Sequence, residues 1–184
     1  MEGNTCRNNG IDGIAAHEQS RLVARSNTCE GNKECGIALM EYAQGEVSGN
    51  ACRNNRYDGI YADEQSRLFA RNNTCEGNKG LGISLFGSAQ GEVEGNTCRN
   101  NSYHGIVANE RPRLVAKNNT CEGISKVGLR FLAVRRGRWK ATPVATTAIT
   151  GLLPHSNRAL LPATTLVRGI SELELLFSAV RRGM

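Results

Sequence analysis

Residues 2–14 read EGNTCRNNGIDGI, residues 94–106 read EGNTCRNNSYHGI, and residues 72–83, NNTCEGNKGLGI, carry the same skeleton in a second spelling. Equivalent positions lie 23 residues apart. Cys6, Cys29, Cys52, Cys75, Cys98 and Cys121 follow one another at that step, as do Asn4, Asn27, Asn50, Asn73, Asn96 and Asn119. A second asparagine column holds Asn9, Asn32, Asn55, Asn78 and Asn101, and Gly13, Gly36, Gly59, Gly82 and Gly105 are each followed by isoleucine. Successive units alternate, one reading TCRNN with SRLVA or SRLFA and the next TCEGN with AQGEV, so the full period is 46. A short fixed period of this kind marks a solenoid and governs every later step.

A 23-residue unit with short alternating apolar segments and no helix-length periodicity predicts one coil, each strand pairing in parallel with its equivalent in the next. About five coils would stack at roughly 4.8 Å, a rod of roughly 25 Å. Alternation points Ala24, Cys29, Ile37 and Leu39, with their equivalents, into the core. Asparagine suits the corners, because it tolerates left-handed backbone and its amide bonds to the same amide one coil away. The residue after each cysteine runs Arg7, Glu30, Arg53, Glu76, Arg99, Glu122, which sets opposite charges side by side at every step and accounts for the 46-residue period.

These units resemble the right-handed parallel β-helix repeat of the pectin lyase-like superfamily, in the N-x-(apolar)-x-x-N-x-x-x-G-I core with Cys at the usual Ile/Val position, over residues 2 to about 123. The resemblance implies an all-β, right-handed parallel β-helix, and a polysaccharide as the partner class. Families of this kind are often secreted or periplasmic. The fold hosts lyases, hydrolases, epimerases and non-catalytic binding proteins, so it does not by itself give the activity.

The cysteines make no zinc pattern, since no C-x-x-C pair occurs, and in-register Cβ vectors do not favour disulfides. They are expected to be buried, reduced and inert, with Cys35 a tolerated corner residue. Acidic residues gather after the Gly-Ile segment: Glu18 beside His17, Glu41, Asp63 with Glu64, and Glu110 beside Asn109. Paired carboxylates serve glycoside cleavage and calcium binding, yet these recur once per coil, whereas an active site usually breaks a repeat at one place. No catalytic constellation, metal site or cofactor motif is identifiable. Tyr57 and Tyr103 occupy one position 46 residues apart and Tyr61 is expected to point out from its strand. Together with Asp63 and Glu64 they are the candidate binding residues, aromatic faces being suited to sugar rings.

The 184 residues, 39% hydrophobic and 22% charged, fit a soluble chain, with neither a signal peptide nor a transmembrane segment in the sequence. The net charge of +6 is unevenly placed. Residues 1–123 carry 13 Lys+Arg against 15 Asp+Glu, and residues 124–184 carry 10 against 2. The repeat is thus slightly acidic, which argues against nucleic acid, and the basicity belongs to the tail. A membrane partner is not expected either, and the exposed end coils offer a route to self-association.

Residues 124–184 lack the consensus but keep its period. ISKVGLRFLAVRRG (124–137) and ISELELLFSAVRRG (170–183) share Ile-Ser, Leu-x-Phe and AVRRG at a separation of 46. A displaced reading frame produces this behaviour. Back-translated and regrouped by one base, residues 138–171 yield EVEGNTCRNNSYHGIAA and QSRLVARNNTCEGNK, so a single-base deletion near codon 123 is expected. The tail is expected either to pair weakly or to form a helix around Leu173 to Arg182, with low order there. MEGNTCRNN also aligns with the VEGNTCRNN that begins at Val93, as if a bacterial GTG codon had opened the chain inside a coil of a longer array.

Three functional expectations follow. The first is a non-catalytic array acting as a binding or structural surface, with carbohydrate its partner. The second is a fragment of a polysaccharide lyase or hydrolase, and the third is a truncated product without function.

Overall fold

The computed structural model describes residues 1–109, 113–132, 148–150 and 167–168, and among these every regular element is a strand. The first coil runs Thr5–Arg7, Ile14–Ala16 and Arg21–Arg25, and the same three strands recur through the fifth coil, which ends at Arg113–Lys117. Every strand pairs in parallel with its equivalent one coil away. Cys6 faces Cys29, Ile14 faces Ile37 and Ala24 faces Val47, each at the 23-residue step. The result is a parallel β-helix of about five coils with three sheets, named below for what they carry: the cysteine sheet, the Gly-Ile sheet and the five-stranded sheet.

Two sheets continue beyond the last consensus unit. Leu129–Leu132 pairs with Ile106–Asn109 in the same 23-residue register, so the Gly-Ile sheet gains a sixth strand after the consensus has ended. Ala148–Thr150 pairs with Thr120–Glu122, and Val167–Arg168 with Ala148–Thr150, but Cys121 now faces Ile149, 28 residues on. The helix expected around Leu173 to Arg182 lies outside the described residues.

The core is a set of columns. Cys29, Cys52, Cys75, Cys98 and Cys121 are fully buried, as are Ile37, Ile60, Ile83 and Ile106. The coil interior also explains the 46-residue period in a way that the surface charges do not. Odd coils pair a small residue with leucine, Ala16 with Leu22 and Ala62 with Leu68, whereas even coils pair leucine with glycine, Leu39 with Gly45 and Leu85 with Gly91. A Cβ on Gly45 would come within 2.2 Å of Leu39 Cδ2, and one on Gly91 within 2.7 Å of Leu85 Cδ2. The two spellings therefore fill one volume in two ways, which close-packed interiors require.

Two ladders of buried asparagines close the corners beside the cysteine sheet. The amide of Asn27 donates to Asn50 Oδ1 at 2.9 Å, Asn50 to Asn73 at 3.0 Å and Asn73 to Asn96 at 2.9 Å. The second ladder runs from Asn9 through Asn32, Asn55 and Asn78 to Asn101 at 2.8–3.0 Å. Each Oδ1 also accepts a backbone N–H from the preceding coil, as Asn73 Oδ1 does from Asn50 N, and Asn73 Nδ2 donates as well to the Val47 carbonyl. The buried amides are thereby satisfied on both sides, as burial demands. The left-handed position after each cysteine strand alternates Asn8, Gly31, Asn54, Gly77, Asn100, Gly123. Asn54 Oδ1 occupies the space that a Cβ on Gly77 would need, 2.5 Å away, so the alternation is steric as well as conformational.

Candidate functional site

The outer faces of the three sheets differ. On the cysteine sheet Arg7 meets Glu30 at 3.2 Å, and Glu76 receives Arg53 at 3.6 Å and Arg99 at 2.8 Å. Three arginines and three glutamates alternate there to neutrality. On the Gly-Ile sheet the middle outward position runs Ala15, Ala38, Tyr61, Ser84, Val107, Arg130, which follows no two-coil alternation, and Ala38, Ser84 and Val107 are buried there. The repeat is broken here, on one face, near the middle of the rod.

Tyr61 stands at that break. Its ring lies 5.9 Å from Phe86, and its hydroxyl donates to Asp63 Oδ2 at 2.5 Å. It is half-buried. Burial first, then the Asp63 carboxylate, pushes its phenol well above the usual range. The other oxygen of Asp63, Oδ1, is buried without a hydrogen-bond partner, an unusual and costly state for a carboxylate oxygen.

One coil corner away lies Asp58. Its Oδ2 accepts from the Ser84 hydroxyl at 2.5 Å and its Oδ1 from the Leu81 N–H at 2.7 Å. Asp12 accepts the Cys35 N–H in the same way at 2.8 Å, and His104 Nδ1 lies 3.0 Å from the Val127 N–H. Burial raises Asp12 and Asp58, and burial lowers His104, whose Nε2 lies 3.2 Å from Arg130 Nη1. Asp12, Asp58 and His104 share one column, and each bridges to the even coil that follows it. Cys35 is buried in that column between Asp12 and Asp58, and burial pushes its thiol up. In the main cysteine column, hydrogen bonding between neighbouring thiols and then burial push Cys29 upward.

Tyr57 and Tyr103 sit at the corner leading into the same sheet, 54% and 53% exposed and two coils apart. Glu64 belongs to another place. It lies on a ridge with Glu18 and Glu41, beside Gln19 and Tyr42, along an open surface groove. Asp63 and Glu64, adjacent in sequence, thus serve different surfaces: Asp63 faces the broken column and Glu64 the ridge. The ridge residues occur in pairs with positive φ, Glu18 and Gln19, Glu41 and Tyr42, Glu64 and Gln65. The Ser20 N–H donates to the His17 carbonyl at 3.1 Å across the first pair, closing a tight turn of the kind that ordinarily demands Asn-Gly. Nothing in the side chains of Glu-Gln or Glu-Tyr announces such a turn. Among the described residues no group of three or more His, Cys, Asp or Glu is placed to hold a metal ion.

These features define a parallel β-helix whose specialised residues lie on and beside the Gly-Ile sheet. The chain belongs to the right handed beta helix region family, whose model matches residues 1–135. Among solved structures it is similar to the periplasmic alginate epimerase AlgG, at 15% identity over 71% of this chain and 44% of that one, with a TM-score of 0.52. A mutant of the same epimerase matches with a TM-score of 0.55 and 17% identity, over 73% of this chain and 45% of that one. The chain spans less than half the length of these structures, and at such identities the likeness is one of fold. No curated protein matches it.

Proposed function

We propose that the protein is a non-catalytic β-helix array that binds a polysaccharide along its axis on the Gly-Ile side. The observation that carries this reading is the pair Tyr57 and Tyr103. Two more-than-half-exposed rings in equivalent positions, about 9.6 Å apart at the strand spacing, offer successive platforms to a chain of sugar rings. Tyr61, between them in sequence, adds a polar contact point through its hydroxyl. The fold likeness to an alginate epimerase supports the polymer class.

The test is affinity electrophoresis of the full chain against a panel of plant and bacterial polysaccharides. The expected result is retardation by at least one polymer, lost in Tyr57→Ala/Tyr103→Ala without a change in melting temperature. Equal retardation of wild type and variant would remove the tyrosines from the reading. A second reading, a fragment of a polysaccharide-active enzyme, is favoured by the buried, unpartnered Asp63 Oδ1 beside Tyr61, where the outer column first departs from alanine. Release of new reducing ends or unsaturated uronates from the same polymers, abolished by Asp63→Asn, would select it. The displaced-frame origin of residues 124–184 is a separate proposal, and a nucleotide sequence without the consensus in the neighbouring frame would end it.

A further inference from the structure

The five-stranded sheet carries a charge distribution that the overall composition hides. Its odd strands present Arg21, Val23 and Arg25, then Arg67, Phe69 and Arg71, then Arg113, Val115 and Lys117, while the intervening even strands present Glu46, Glu92 and Glu94. Six cations face three carboxylates. Residues 1–123 as a whole are slightly acidic, so this face is an enclave of opposite sign. The contrast with the cysteine sheet is direct, because the same two-coil alternation there ends in neutrality.

The excess is also accessible. Glu46 is shared by Arg21 at 3.0 Å and Arg25 at 3.7 Å, and Glu92 reaches Arg71 at 3.5 Å. The guanidinium of Arg67 lies 5.8 Å from the centre of the Phe69 ring. Arg113 and Lys117 have no carboxylate partner among the described residues. The arginine side chains at 21, 25 and 71 are half or more exposed, and pairs of this kind are worth little against solvent, so an incoming anion displaces them at small cost. Between the cationic edges runs a partly apolar stripe, Val23, Phe69 and Val115, of which Val115 is 42% exposed.

We propose that this face is a second binding surface, suited to an anionic polysaccharide that carries one acidic group on every second sugar. It takes the polymer class from the reading above but uses another face and other residues. Geometry selects the charge spacing. The cationic rows recur every two coils, about 9.6 Å, with glutamates between them. A DNA duplex carries one phosphate per strand for about every 3.4 Å of its axis, so a nucleic acid lying along the rod would be forced to set phosphates against Glu46 and Glu92. A polymer with one carboxylate per disaccharide meets a cationic row with each charge, and its neutral sugars cross the glutamate rows. Arginine's planar fork matches the carboxylate, and the central stripe accepts the C–H face of the sugars.

The experiment is affinity electrophoresis of the full chain with hyaluronate, which has one carboxylate per disaccharide, with neutral dextran and with duplex DNA. Hyaluronate is expected to retard the protein, dextran to leave it unmoved and DNA to bind more weakly than hyaluronate. Arg67→Gln/Arg71→Gln should weaken hyaluronate binding about tenfold. Arg53→Gln/Arg99→Gln removes the same charge from the cysteine sheet, and Arg135→Gln/Arg136→Gln removes it from the basic tail; both should bind as wild type does. Equal losses in all three variants would mean net charge alone and overturn the proposal, as would tighter binding to DNA or no hyaluronate binding at all. Loss in Tyr57→Ala/Tyr103→Ala with retention in Arg67→Gln/Arg71→Gln would overturn it while leaving the tyrosine reading intact.

Discussion

The cysteine sheet and the Gly-Ile sheet are built from the same repeats, yet only one of them remains repetitive on both faces. On the cysteine sheet the outer residues alternate Arg and Glu coil after coil, and ion pairs join Arg7 to Glu30 and both Arg53 and Arg99 to Glu76. On the Gly-Ile sheet the inner isoleucines are uniform while the outer column runs Ala, Ala, Tyr, Ser, Val, Arg. The difference shows what stacking enforces. A column that must fit between identical neighbours is held to one residue type, whereas the outer column of the Gly-Ile sheet varies although Ala38, Ser84 and Val107 in it are buried, Ser84 against Asp58.

The sharpest way to break that contrast is to interrupt an inner ladder. Asn73→Leu removes the acceptor of Asn50 and the donor to Asn96 and Val47, leaving buried polar groups unpaired. A loss of about 4 kcal/mol is expected in urea unfolding. A cost below 1 kcal/mol would show that the ladder contributes little. The second test concerns the alternating interior. Leu39→Ala should cost about 3 kcal/mol through the cavity above Gly45. Adding Gly45→Leu, which converts the coil to the odd spelling, should recover most of it, with a coupling of about 3 kcal/mol in the double-mutant cycle, since Gly45→Leu alone overpacks the coil. Additive effects would disprove the compensation.

A smaller effect is expected from the bridging column. Burial raises Asp58 in the folded state, so its contribution to stability is full below the ordinary carboxylate range and is lost as pH rises through the raised value. Asp58→Asn keeps an acceptor for the Leu81 N–H and supplies a donor to the Ser84 oxygen, but it no longer titrates. The variant should melt at or above wild type at neutral pH, with a shallower dependence of melting temperature on pH across the acidic range. An unchanged slope would assign that dependence to other groups.

Much of the fold was legible because the repeat is long-range information written locally. Cys6 and Cys29 are distant in sequence and adjacent in space for the same reason, and six in-register units make the step unmistakable. The candidate site was legible only in part. Tyr57 and Tyr103 could be paired by their separation of 46, and both are exposed as a binding role requires. Asp63 and Glu64 read as a single acidic motif, yet one turns toward Tyr61 and the other joins a ridge of strained turns. Ser84, Phe86, His104 and Arg130 carried no signal, because what matters is that each departs from its column beside a particular neighbour. The charge alternation accounted for the two-coil period only at the surface, since the Leu39 and Gly45 contact lies across a corner that no periodicity describes.

The amino-acid sequence alone determined the coil length, the parallel register and the identity of the core columns, because in a solenoid a constant step converts position along the chain directly into position along the axis. Tertiary structure decided what happens across the coil: which small residue makes room for which leucine, which carboxylate is buried, and which face keeps an uncompensated charge. Those relations depend on the angles at which the corners bring the three sheets together. Glu18-Gln19 and its equivalents take left-handed backbone there against their own preference, held by the strands on either side.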